Sequence, residues 1–113
     1  MPPTLRQVVA LTDLDLRVRA GDGELDREVR WVAVSELDDP TPFLEGGELL
    51  LTTGMRLPTG RAALTRYVTR LAGSGVVGLG LGVGLSHDTV PAALLRACAD
   101  ESLPLLEVPA RTP

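Results

Sequence analysis

The alternation of strand-like and helix-like apolar segments constrains the fold of this chain more than any other sequence feature. Glu48–Thr52 (ELLLT) is a near-continuous apolar run, which is typical of a strand buried on both faces. Strands are also predicted at Val76–Val83 and Leu105–Val108, and helical spacing of apolar residues predicts helices over Arg61–Ala72 and Ala92–Ser102 between the strands. This order predicts an α/β fold with a mostly parallel sheet and flanking helices.

The first part of the chain predicts shorter elements. Thr4–Leu11 predicts a short helix, Leu16–Ala20 an edge strand, and the β-branched run Val29–Ser35 a further strand. Pro42–Leu44 allows at most one helical turn. We therefore expect residues 1–113 to form one small domain whose sheet has about four to five strands.

Length and cysteine content favour a soluble domain in a reducing compartment. A chain of 113 residues buries enough surface to fold without a metal or disulfide. No apolar run reaches the roughly 20 residues that a membrane span needs, and the first residues lack the pattern of a signal peptide. The single cysteine, Cys98, has no internal partner. We expect a cytoplasmic protein that does not contact the membrane.

The charge balance argues against nucleic-acid binding by this chain alone. The formal net charge is −4, and the basic residues are scattered arginines without a single lysine. Phosphate contacts need clustered cations, so we expect any DNA contact to come from another domain. The absence of lysine also excludes a P-loop lysine and Schiff-base chemistry.

Two short motifs look catalytic but lack the necessary context. Gly73–Gly78 matches GxGxxG, yet it leaves a predicted helix and enters a strand, the reverse of a dinucleotide-binding turn. Ser86, His87 and Asp88 are consecutive, so their side chains are not expected to converge as a triad does. Cys98 lies on an apolar helix face without a cationic partner. The sequence predicts neither an enzyme nor a metal or cofactor site.

Several stretches resemble a known family. Val29–Gly54 (VRWVAVSELDDPTPFLEGGELLLTTG) is similar to the N-terminal domain of PucR-like transcriptional regulators, the purine catabolism regulatory protein-like domain. The segments TLRQVVAL, YVTRLAGSGVVGLGLGVG and VPAALLRACADESLPLLEVP follow in the order of that family, and GGELLLTTG and LPLLEVP are the most specific. The resemblance covers nearly the whole chain.

The resemblance implies a function in transcription regulation. In that family the domain precedes a C-terminal helix-turn-helix region, which this chain lacks, and is thought to sense a small metabolite. It implies no set of catalytic residues. We therefore expect a sensor domain that contacts DNA only through the missing C-terminal domain, with an effector related to purine catabolism or nitrogen metabolism.

Polar residues and glycines follow the predicted parallel strands. Ligands of open α/β sheets bind outside the carboxyl ends of the strands, where loops expose backbone amides. The alternating glycines from Gly78 to Gly84 leave one face bare, for close packing of a helix or, at Gly82 and Gly84, for a ligand. The predicted ligand-binding residues are Ser35, Glu36, Thr52, Thr53, Gly54, Gly82 and Gly84.

Two hypotheses from different classes remain open at this point. The first is a ligand-sensing regulatory domain that binds a small polar metabolite at the strand ends. The second is a structural module that forms a homodimer or docks other domains without any ligand. A pocket at the strand ends favours the first hypothesis, and an exposed apolar face without a pocket favours the second.

Overall fold

A five-stranded sheet forms the centre of the protein in the computed structural model. The structure describes residues 1–110. Residues 111–113, which end the predicted domain, lie outside the described residues. The class is α/β with a mostly parallel sheet, as the sequence predicts. The helices and strands in chain order are α1 (Leu5–Val9), β1 (Arg17–Ala20), β2 (Trp31–Val34), β3 (Glu48–Thr52), α2 (Arg61–Gly73), β4 (Gly78–Gly82), α3 (Ala92–Asp100) and β5 (Leu105–Val108).

The strand order is β1-β5-β4-β3-β2. Strands β2, β3, β4 and β5 are parallel, with Leu50 opposite Leu79 and Gly80 opposite Leu106. Only β1 runs antiparallel, and it lies at the sheet edge beside β5, so the prediction of an edge strand is confirmed. From β2 to β5 each strand lies beside the preceding one, and the carboxyl ends of these strands therefore share one edge of the sheet.

The predicted boundaries of β3 and β5 are correct, α2 extends one residue beyond the predicted Arg61–Ala72, and the remaining elements are shorter than predicted. Strand β2 covers Trp31–Val34 rather than Val29–Ser35, because Val29 donates its N–H to the carbonyl of Pro3 instead of extending the ladder with β3. Strand β4 covers Gly78–Gly82 rather than Val76–Val83.

Both longer helices pack on one face of the sheet. Helices α2 and α3 contact each other and bury apolar side chains against the odd-numbered residues of β4 and β5. The fully buried members of this core are Val68, Leu71, Leu94 and Cys98 from the helices, Leu50, Leu79, Leu81 and Leu105 from the strands, and Leu103 from the segment before β5. The sheet progresses in one direction from β3 to β5, and right-handed crossovers then place both connecting helices on the same side.

The other face of the sheet is only partly covered, and we call it the open face. Helix α1 has five residues and covers one end of it, where Leu5 packs on Leu49 and Leu106. Val32 and Val34 of the edge strand β2 keep 56% and 73% of their surface exposed on this face. The domain thus has one fully built core and one sheet face that remains accessible.

Candidate functional site

The carboxyl ends of β2 and β3 bring one acid and two threonines together. Val34 pairs with Leu51, so the residues that follow β2 lie beside the end of β3. Glu36 Oε1 accepts a hydrogen bond from Thr52 Oγ1 at 2.9 Å, and Glu36 Oε2 accepts one from Thr53 N at 2.8 Å. Parallel pairing of the strands therefore joins the predicted residues at a single edge of the sheet.

The hydroxyl of Thr52 both donates and accepts a hydrogen bond within the protein. Thr52 is 6% exposed, and its Oγ1 donates to Glu36 and accepts from Gly54 N at 3.0 Å. A buried hydroxyl without partners is costly, and here both the donor and one acceptor position are satisfied. Thr52 therefore fixes Glu36 and the turn after β3.

Gly54 forms the turn that follows these threonines. Its φ of +77° lies in the left-handed region, and a Cβ at this position would lie 2.7 Å from Cδ2 of His87. His87 Nε2 lies 3.0 Å from the carbonyl oxygen of Gly54, so this ring nitrogen donates the hydrogen bond and the carbonyl accepts it. The lone histidine thus joins the loop after β4 to the turn after β3, and its Nε2 is occupied.

Glu36 is ionised at neutral pH. Partial burial raises the pKa of its carboxyl, but the hydrogen bonds from the backbone of Thr53 and the hydroxyl of Thr52 outweigh burial, so the pKa lies below its ordinary value of 4.5. The groups that donate to it are all neutral: the hydroxyls of Thr52 and Thr53 and the backbone N–H groups of Thr53 and Met55. The ion pairs found within residues 1–110 involve other side chains, so Glu36 forms no salt bridge in that part of the chain.

A cavity of about 200 Å³ opens beside this cluster, and we call it the edge cavity. Its wall is almost wholly aliphatic, and Glu36 is the one acidic residue among those that line it. The residues that line it are Val34, Glu36, Leu51, Thr52, Thr53, Gly80, Gly82 and Val108.

A second cavity of about 230 Å³ lies on the open face, and we call it the face cavity. Leu51 and Val108 line both cavities, so the two adjoin across these side chains. All residues of the face cavity are apolar: Val8, Leu14, Leu16, Val32, Leu49, Leu51, Leu106 and Val108. We call the two cavities together the groove.

The predicted site residues separate into two groups. Glu36, Thr52, Thr53 and Gly82 line the edge cavity, and Gly54 follows them directly in the turn. The other two predicted residues, Ser35 and Gly84, do not line it. Ser35 Oγ accepts from Leu37 N at 3.2 Å, and a Cβ on Gly84 would meet Ala110 at 2.5 Å.

The alternating glycines have different neighbours. A Cβ at Gly78 would contact Leu5 of α1 at 3.2 Å, which agrees with close packing of a helix. Gly80 is covered by a neighbouring strand rather than by a helix, since a Cβ there would lie 2.6 Å from Leu51 Cδ2. Gly82 is open, because a Cβ would find no atom closer than Thr52 O at 3.8 Å.

Sequence reasoning did not identify the aliphatic wall. Val34, Leu51 and Val108 line the edge cavity although each lies in a run that predicts a buried strand. A signal does exist: both crossover helices fall on one side of the sheet, so alternate strand residues face away from them. Reading that signal requires the strand order, which is not local information.

A depression of about 450 Å³ lies at the opposite edge of the sheet. It includes charged side chains that are paired with neighbours: Asp26 with Arg6 at 2.9 Å and Arg27 with Glu24 at 3.2 Å. Such exposed pairs belong to a solvated surface. This depression lacks the almost wholly apolar wall of the edge cavity.

Residues 1–110 contain no other group arranged for chemistry. Burial raises the pKa of the Cys98 thiol to about 12, so it is not a nucleophile at neutral pH. No cluster of three or more His, Cys, Asp or Glu side chains within the described range could hold a metal ion. None of the helices described there is long and apolar enough to cross a membrane.

The fold and the groove define an α/β domain with a small cavity where the parallel strands end. Residues 7–113 match the model of the purine catabolism regulatory protein-like family, PucR, and the chain belongs to that family. It is 34% identical over 88 residues to the transcriptional activator PmfR of Paenarthrobacter nicotinovorans. That alignment covers 78% of this chain and 18% of PmfR, so the chain spans less than a fifth of this relative.

A solved structure has the same fold. The crystal structure of the CBS and DRTGG domains of the regulatory region of Clostridium perfringens pyrophosphatase, complexed with the activator diadenosine tetraphosphate, matches 96% of this chain and 42% of its own chain. The TM-score is 0.61 and the identity 12%, a level at which the likeness shows the fold alone. The family and the curated relative are those of transcriptional regulators, so the predicted class of regulatory domain is confirmed.

Proposed function

We propose that this domain senses a small-molecule effector for a transcriptional regulator. One observation carries the proposal: Glu36, Thr52 and Thr53, from separate elements, converge on a cavity at the carboxyl edge of the parallel strands. This is the position at which open α/β sheets bind ligands. The effector would belong to purine catabolism, as the family description suggests, or more broadly to nitrogen metabolism.

The cavity dimensions limit the effector to a small compound. Ligand pockets commonly measure about 300–1,000 Å³, and each cavity of the groove is smaller than that. At roughly 30 Å³ for each water in the liquid, the edge cavity corresponds to about seven waters. A ligand that extended over Leu51 and Val108 would use both cavities.

Two similarities support a sensor in a longer, cytoplasmic regulator. The matched pyrophosphatase domains come from a regulatory region that was crystallised with a nucleotide activator. PmfR is far longer than the matched segment, which leaves room for a separate DNA-binding region, here proposed to be C-terminal. The net charge of −4 and the lack of lysine support DNA contact through that region rather than through this domain. No catalytic role is proposed.

The runner-up is a dimerisation or docking module. Val32 and Val34 on the edge strand are largely exposed, as is Phe43 in the loop that follows it, and exposed apolar side chains favour protein contact. Sedimentation velocity across a concentration series separates the two functions. A monomer at all concentrations that still binds an effector supports the sensor, and a stable dimer without any effector supports the alternative.

A thermal-shift screen tests the proposed function. Purine catabolites and small amino compounds are added to the 113-residue chain, because a ligand that binds only the folded state raises the melting temperature. Each active compound is tested again on Thr53→Val, which keeps the volume and loses the hydroxyl, and on Glu36→Gln. Reduced stabilisation of either variant supports the site. No stabilisation by any compound contradicts the sensor proposal.

A further inference from the structure

Strand β4 gives the open face of the sheet no side chains. The residues of β4 that face this way are Gly78, Gly80 and Gly82, whereas Leu79 and Leu81 point into the core on the helix side. The neighbouring strands β3 and β5 carry leucine and valine on the open face. A trough therefore runs along β4 between the side chains of its two neighbours.

Protein side chains fill only part of this trough. Leu5 of α1 covers Gly78, because a Cβ there would lie 3.2 Å from Leu5 Cδ2. At Gly80 a Cβ would lie 2.6 Å from Leu51 Cδ2 and 3.5 Å from Val108 Cγ2, so these two side chains lean across the glycine. The face cavity, about 230 Å³, remains over them, bounded by α1 and by the segment that leads into β1.

Water finds few partners in the face cavity. A bound water needs two to four polar groups, and the side chains that line this cavity are all valine or leucine. Apolar cavities of about 150 Å³ are known to exclude water and to bind benzene. The face cavity is larger than that, so it has room for a six-membered ring with a short alkyl substituent.

The cavity is open to solvent at its rim. Leu14 and Val32 line it and are 40% and 56% exposed, whereas Leu49 and Leu106 on the sheet below are buried. A ligand can therefore enter without opening the core. A charged ligand would lose its hydration without gaining a polar partner, and this cost selects an uncharged one.

We propose that the face cavity binds a compact, uncharged, apolar molecule of the size of a monocyclic aromatic ring, packed against Leu51 and Val108. The site goes beyond the proposed sensor function, because it does not depend on Glu36, Thr52 or Thr53. A ligand there contacts both α1 and the sheet, and it covers apolar surface that the protein leaves accessible.

Toluene, benzylammonium and benzoate test the class of ligand, since they share one aromatic ring and differ in charge. Each is titrated into the chain with ¹³C-labelled leucine and valine methyl groups. Ring-current shifts at Val8, Leu16 and Leu106 report on the face cavity, and Leu79 and Leu94 on the helix side are the internal reference. Toluene is expected to shift the first group only, and to bind about tenfold or more tightly than either ion.

Val32→Phe and Val34→Phe are a matched pair of variants that tests the location. Both valines are mostly exposed on the same face of β2, but Val32 lines the face cavity and Val34 lines the edge cavity. Val32→Phe is expected to lower toluene affinity about tenfold, because the new ring takes the space of the ligand, and Val34→Phe should leave it near the wild-type value. Val8→Phe narrows the same cavity from α1 and is a second reading should the ring at position 32 turn to solvent.

The outcomes separate this site from the proposed effector site. Equal or tighter binding of an ion overturns the apolar class, and a larger effect of Val34→Phe than of Val32→Phe and Val8→Phe overturns the location. Methyl shifts that change with protein concentration in the absence of toluene indicate that a second copy fills the cavity, which also overturns the proposal.

Glu36→Gln and Thr53→Val distinguish failure of one proposal from failure of the other. Toluene affinity should be unchanged in both variants. Absence of toluene shifts, with a screened compound that still loses affinity in Thr53→Val, overturns the apolar site and leaves the sensor. Toluene binding without any active compound in the screen supports the apolar site and contradicts the sensor.

Discussion

Glu36 and Thr53 lie 17 positions apart in the chain, and a 2.8 Å hydrogen bond from Thr53 N to Glu36 Oε2 joins the ends of β2 and β3. This bond holds an ionised carboxylate at the carboxyl ends of these two strands. It also shows that the acid has a structural role in the free protein. A ligand would therefore add to these hydrogen bonds rather than satisfy an unpaired group.

The core should respond strongly to truncation of its central leucines. Leu50 and Leu106 are completely buried on opposite faces of the sheet, so either residue changed to Ala should cost roughly 2–5 kcal/mol of unfolding free energy. Urea denaturation followed by circular dichroism measures this cost. Leu85→Ala is the matched control, because Leu85 is 80% exposed and should change stability by under about 0.5 kcal/mol. Similar losses in Leu106→Ala and Leu85→Ala would contradict the packing of the open face.

Glu48 should stabilise the domain through its ionised form. It is buried, and its two oxygens accept from Glu45 N at 2.6 Å and Gly46 N at 2.9 Å. Burial raises the pKa of this carboxyl, but the hydrogen bonds, with one from the Trp31 side chain, outweigh burial and lower the pKa below 4.5. Replacement by Gln should cost about 1–3 kcal/mol, since amide N–H groups cannot accept these bonds.

The pH dependence of the unfolding free energy follows from the lowered pKa of Glu48. A carboxyl whose pKa is lower in the folded state contributes stability above its unfolded value of 4.5, and this contribution is lost as the pH falls through the folded pKa. Unfolding free energies of wild type and Glu48→Gln should therefore converge below pH 4.5. Glu45→Gln, at an exposed position, is the control and should follow wild type throughout. A constant difference between wild type and Glu48→Gln at all pH values would contradict this account.

Gly54 should not tolerate a side chain. Its positive φ disfavours any L-residue, and a Cβ would also press on the His87 ring, so Gly54→Ala should cost about 1–3 kcal/mol. Gly73→Ala provides the comparison, since no atom lies within 4 Å of its Cβ position and alanine favours the helix. Thermal melts of the two variants should shift in opposite directions. An unaffected Gly54→Ala would mean that the turn is held in another conformation.

DNA binding should be absent from this chain alone. Arginines are scattered, lysine is missing and the net charge is −4, so the chain lacks the cation cluster that duplex phosphates require. Mobility-shift titrations at low salt, where electrostatic binding is strongest, are expected to show no complex. Micromolar binding under those conditions would contradict the prediction.

Local patterns were sufficient to predict most of the fold. The apolar runs at Glu48–Thr52 and Leu105–Val108 mark β3 and β5 correctly, because a buried strand needs an apolar residue at nearly every position. Helical spacing likewise identified α2, whose Leu64 and Leu71 are both buried. Strand order could not be predicted in the same way, since it depends on pairing between distant segments.

The candidate site was predictable only in part, for the same reason. Parallel strands imply that Glu36, Thr52 and Thr53 meet, and this convergence is found. The sequence does not reveal that these groups satisfy one another, nor that Gly84 turns toward Ala110, because both depend on loop conformations fixed by the completed sheet. Which residues bind a ligand stays a prediction.

The central claim is that a small molecule binds the groove, and isothermal titration of the best compound from the screen tests it most directly. Wild type, Gly82→Val and Gly73→Ala are titrated side by side, because of these two glycines only Gly82 lines the edge cavity. The account predicts saturable binding to wild type and Gly73→Ala. In Gly82→Val the affinity should fall about tenfold or more, because the valine side chain blocks apolar contact between ligand and cavity. Equal affinity for all three folded proteins would contradict it.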